Sequence, residues 1–136
     1  MICLILAVLA LFVLQTILPA SFRYLLAGPG TARRLHIALG PRDTQPPMPP
    51  IGARAERALG NLQEALPVFL TLALLHVFQG SEHALAIQGA RVFLAARVLY
   101  VPAYLSGIFG LRSAVWVASW VGLGMMLVPL LNRGSL

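Results

Sequence analysis

Apolar residues run from Met1 to Leu26, broken in the middle by Gln15, Thr16 and Pro19. A helix needs about 20 predominantly apolar residues to cross a bilayer, so this run predicts a spanning helix over residues 1–26. A polar segment follows at about 28–52. Its stretch Gln45-Pro46-Pro47-Met48-Pro49-Pro50 reads as non-helical, because proline lacks the amide donor and fixes φ. A second helix is expected over 53–78. Its first turns are polar, with Arg54, Glu56, Arg57, Asn61, Gln63 and Glu64, and the remainder is apolar around Pro67. Gln79-Gly80-Ser81 links it to a third helix over 82–106, and Gly107–Gly110 link that to a fourth over 112–131. The expected fold is an all-α integral membrane protein, a four-transmembrane-helix bundle forming one domain over residues 1–136.

Composition strengthens this reading. The chain has 136 residues, of which 59% are hydrophobic and only 10% charged, with mean hydropathy +0.84. Soluble domains carry about 25% charged residues. A chain this apolar needs lipid to cover it. Net charge is +6 and every basic residue is arginine. Nucleic acid is excluded as a partner, because binding it requires a basic stripe on a water-exposed surface, and these arginines lie between or inside apolar runs. Cys3 is the single cysteine, so no internal disulfide is possible. The first apolar run lacks a basic leader and exceeds signal-peptide length, so it reads as a retained helix.

Arginine placement suggests an orientation. Arg33, Arg34 and Arg42 lie between helices one and two, and Arg112 lies at the junction of three and four. The positive-inside rule puts both regions in the cytoplasm and both termini outside.

Charged residues within a spanning helix are costly and usually face a bundle interior or a water-filled cavity. Arg57, Asn61 and Glu64 fall at i, i+4 and i+7 of the second helix, and Arg97, Tyr100 and Tyr104 at i, i+3 and i+7 of the third. Each set shares one helix face. The antiparallel topology brings the start of helix two and the end of helix three to one membrane depth, with Arg112 alongside. Arginine recognises carboxylates and phosphates bidentately, so the set suits a small anionic or zwitterionic ligand. A lipophilic small molecule could arrive from the bilayer. A structural reading stands beside this one, with Arg57–Glu64 as an ion pair, Asn61 as an interhelical hydrogen bond and the tyrosines as an interfacial belt.

The segment Arg57-Ala58-Leu59-Gly60-Asn61-Leu62-Gln63-Glu64-Ala65-Leu66-Pro67-Val68-Phe69 resembles the second-helix signature of the MAPEG family, the membrane-associated proteins in eicosanoid and glutathione metabolism. Arg97-Val98-Leu99-Tyr100 with Tyr104 resembles its third-helix signature, and the four-helix layout agrees over essentially the whole chain. The likeness to a bacterial-type member implies a homotrimer in the cell inner membrane. It further implies that Arg57, Asn61, Glu64, Arg97, Tyr100 and Tyr104 hold glutathione between neighbouring subunits. Arg112 would activate the thiol for attack on lipophilic electrophiles or lipid hydroperoxides. A cation beside a thiol lowers its pKa from about 8.5 and raises the thiolate population; no metal is required. Two departures are visible. Ala65 stands where several family enzymes carry tyrosine, and Arg112 falls eight residues after Tyr104, one more than in the family's cysteinyl-leukotriene synthase. The family also holds non-catalytic members, so a lipid-binding protein or a subunit of a larger membrane complex is the alternative.

The remaining polar residues suggest little chemistry. His36, His76 and His83 are scattered and lack a third metal ligand; they read as interface histidines. Arg91 lies on a different face from Arg97, and could pair with Glu82 or face a trimer axis. A single polar cluster at one face offers no continuous path for a transporter or channel.

Overall fold

The computed structural model describes residues 1–25, 36, 39–40, 47–80, 83–108 and 110–133. Four helices follow one another: α1 (Ile2–Leu25), α2 (Pro50–Phe78), α3 (Ala84–Ser106) and α4 (Leu111–Arg133). Each is long and apolar enough to cross a membrane. Large apolar side chains such as Leu6, Val13, Ile17, Val98, Val121 and Leu131 point outward. Without an aqueous alternative, these side chains and the satisfied helical backbone suit a lipid environment. The protein is a multi-pass integral membrane protein. The arginines of the first connection, Arg33, Arg34 and Arg42, lie outside the described residues, as does Glu82.

Two helix starts differ from the sequence expectation by more than one residue. Pro50 belongs to α2 rather than to the preceding loop: Pro49 is the extended cap and Pro50 takes the first helical position. The first helical amide has no intrahelical acceptor, so proline loses nothing there. At the other end of the link, α3 begins at Ala84 because His83 is its extended cap, its Nδ1 accepting from the Leu85 amide at 3.3 Å.

The core runs along helical stripes. On α2, Ala55, Ala58, Leu62, Ala65, Phe69, Leu72 and His76 are buried at alternating spacings of three and four. On α3, Ala86, Ala90, Phe93, Arg97 and Tyr100 continue the same rhythm. Phe69 and Phe93 stack with centroids 4.6 Å apart and planes 11° from parallel. Thus Arg97 occupies a position that the periodicity assigns to the core.

α1 packs chiefly on α2, and the most extensive contact joins α3 to α4. Two glycines make that contact close. A Cβ on Gly89 would come within 2.5 Å of the Gly122 carbonyl oxygen, and one on Gly122 within 2.7 Å of the Gly89 oxygen. Small residues of this kind let membrane helices approach backbone to backbone. His76 is buried, not interfacial: its Nε2 lies 2.8 Å from the Met126 carbonyl oxygen and ties α2 to α4.

Candidate functional site

Arg97 is the largest fully buried side chain, 1% exposed. Its Nη1 donates to Asn61 Oδ1 of α2 at 2.9 Å. Its guanidinium lies 5.3 Å from the Phe93 ring centroid and 5.6 Å from that of Tyr100, within reach of a cation–π attraction. Nε and Nη2 are buried and have no hydrogen-bond partner among the described residues. A buried donor left unsatisfied costs about 1–3 kcal/mol, and more for a charged group.

Ring contacts extend this core outward. Tyr100 and Tyr104 tilt against each other at 5.4 Å. Arg112, in the first turn of α4, lies 5.4 Å over the Tyr104 ring. Asn61, Arg97, Tyr100, Tyr104 and Arg112 thus form one connected chain from α2 through α3 to α4. In the link between Tyr104 and Arg112, Gly107 and Gly110 have φ of 70° and 81°. Glycine adopts that left-handed region without a Cβ clash.

Two cavities flank the Tyr104–Arg112 contact. One, of about 470 Å³, is lined by Asn61, Tyr100, Tyr104, Arg112, Ser113, Trp116 and Val117. The other, of about 280 Å³, has Arg54, Arg57, Tyr104, Arg112 and Ser113 in its wall, together with the α3–α4 link. Among the described residues, three arginines and no carboxylate line the smaller cavity, an arrangement that favours an anion.

The sequence-predicted set is therefore only partly assembled within one chain. Asn61, Arg97, Tyr100, Tyr104 and Arg112 meet, and Arg57 stands in the adjoining cavity wall. Glu64 is exposed and lines neither cavity. The ion pair considered for Arg57 and Glu64 is not formed; both are exposed and no ion pair joins them. Asn61 does make the interhelical hydrogen bond, and it makes it to Arg97.

Sequence reasoning missed Arg54 and Ser113. Arg54 Nη1 donates to the Leu105 carbonyl oxygen at 2.9 Å, holding one of the orphan carbonyls at the C-terminal end of α3. Its guanidinium packs beneath Gly107, where a Cβ would meet Nη1 at 3.1 Å. The available signal was Arg54 one turn before Arg57 in the polar start of α2. Among the described residues no cluster of histidine, cysteine or carboxylate side chains could hold a metal.

The family model for the MAPEG family matches residues 1–132. The chain belongs to the MAPEG family. No curated protein matches it in a sequence comparison. Membership agrees with the four-helix membrane bundle, and MAPEG proteins include both glutathione transferases or peroxidases and non-catalytic members. Within this MAPEG chain, the Arg97–Asn61 hydrogen bond joins the segments resembling the family's second- and third-helix signatures.

Proposed function

We propose that this protein is a glutathione-dependent membrane transferase or peroxidase, acting as a homotrimer on lipophilic substrates. The observation that carries the reading is Arg97. A buried core position holds an arginine whose Nε and Nη2 lack partners among the described residues, against Asn61 and Tyr100, which line a cavity with Tyr104 and Arg112. A purely structural arginine would have its donors satisfied. A ligand carboxylate supplies what these donors lack, and glutathione carries two carboxylates and one ammonium group. Arg57, Asn61, Arg97, Tyr100 and Tyr104 hold the tripeptide, and Glu64 accepts from its ammonium group. Glu64 and Arg57 are exposed on the single chain, which supports completion of the site by a neighbouring copy.

Arg112 stabilises the thiolate once the thiol proton has gone to solvent. The thiolate sulfur then bonds to an electrophilic carbon, whose leaving group departs or whose ring opens. With a lipid hydroperoxide, two glutathione molecules give the disulfide, the lipid alcohol and water. The site end of the bundle faces the cytoplasm of an inner membrane, with both termini outside. In a test with purified protein, glutathione absorbance near the thiolate band should rise on binding, and Arg112→Ala should remove most of that rise. An Arg112→Ala protein with undiminished thiolate and turnover would sink the assignment.

One observation favours a non-catalytic reading. Ala65 is buried in the apolar core, so it contributes no hydroxyl where several family enzymes carry one. Stoichiometric co-purification with another membrane protein, without glutathione turnover, would establish that reading instead.

A further inference from the structure

Arg91 stands apart from the site, on the outer side of α3. It is exposed within a spanning helix, and no hydrogen bond or ion pair holds it among the described residues. It lies seven residues past Ala84, about 10 Å along the helix at 1.5 Å per residue. Arg57 and Arg112 lie near the opposite end of the bundle. An arginine at this depth facing hydrocarbon is expensive unless it reaches toward the headgroup layer and a counter-charge. Gln88, exposed one turn nearer the helix start, shares its face.

Immediately beyond Arg91 the surface becomes a trough. A groove of about 390 Å³ runs between α3 and α4, its walls including Val92, Ala95, Leu99, Ala114 and Ala118. Every residue lining it is apolar, and alanines leave the space between the helices. It begins one residue after Arg91 and continues to Leu99, about 12 Å further along α3. On α4 it uses residues 114, 115 and 118, whereas the site cavity uses 112, 113, 116 and 117. The two openings therefore lie on different faces of α4.

We infer that Arg91 and this groove form a binding site for an anionic glycerophospholipid. Arg91 takes the headgroup phosphate with Gln88 as a second donor, and an acyl chain lies in the alanine-lined groove across the middle of the bundle. Charge complementarity selects the occupant. The chain carries four carboxylates in all. The two that are described, Glu56 and Glu64, lie on α2 toward the opposite membrane face, so neither gives Arg91 a counter-charge. A phospholipid supplies both the phosphate and the chain. This inference is independent of the glutathione reading.

The test is native mass spectrometry of the detergent-solubilised protein, titrated separately with phosphatidylglycerol, phosphatidylcholine of matched chains, and inorganic phosphate. Phosphatidylglycerol should occupy the protein roughly fivefold better than phosphatidylcholine, the contribution of one arginine near an anionic headgroup. Inorganic phosphate should bind poorly, since it cannot fill the groove. Arg91→Gln should erase the preference and Arg91→Lys should keep it. Ala95→Leu, which fills the groove, should lower occupancy by both phospholipids. Equal occupancy by the two lipids in the native protein, or a preference that survives Arg91→Gln, would overturn the proposal. So would an Ala95→Leu protein with unchanged lipid occupancy but lost self-association, since the groove would then be a face between copies.

Discussion

At the scale of single residues, the site depends on a buried cation with incomplete hydrogen bonding. Breaking a buried charged pair by removing one partner is more damaging than replacing the charge itself. Asn61→Leu should therefore lower stability by about 1–3 kcal/mol, because Arg97 loses its remaining protein acceptor. Arg97→Met should leave thermal stability unchanged or raised, yet abolish ligand binding. Thermal unfolding in detergent, run beside a binding assay, checks both. The sequence made Arg57, Asn61 and Glu64 legible as one helix face. It did not separate them, because a face spanning i to i+7 straddles the edge of the core. Asn61 falls on the side that meets α3, and Glu64 falls outside. Arg54 was less legible still, since its role depends on the left-handed Gly107, which only the folded link brings over it.

At the scale of elements, helix contacts set where the site residues stand. The α3–α4 crossing at Gly89 and Gly122 was not readable from sequence. Gly122 and Gly124 are both small enough for close contact, but the fold pairs only the first, with Gly89, and leaves open space at the second. Gly122→Ala should force the helices apart and cost about 1–3 kcal/mol. Gly124→Ala should be neutral or stabilising by up to about 1 kcal/mol, through helix propensity alone. Comparing the two melting temperatures isolates the contact from propensity. In the α3–α4 link, Gly107→Ala should cost about 1–2 kcal/mol for its positive φ and push against Arg54. Turnover should fall with it, because the same link sets Arg112 over Tyr104. The four spans themselves were readable because their apolar runs match a bilayer's thickness. The start of α2 was not, because a proline-rich stretch looks the same whether its last residue ends a loop or opens a helix.

At the scale of the whole molecule, four helices gather polar residues at one end and leave Arg91 toward the other, with the apolar groove running between them. Residues of α2, α3 and α4 form one connected contact path, with Arg57 in the adjoining cavity wall and Glu64 outside it. On the proposed function, this end binds glutathione. Equilibrium dialysis of the detergent-solubilised protein against millimolar glutathione tests it most directly, with Arg57→Ala alongside. Saturable binding by the native protein, weakened about tenfold or more by loss of a charge-assisted hydrogen bond, is the predicted result. Absence of binding at millimolar glutathione, or binding indifferent to Arg57→Ala, would contradict it.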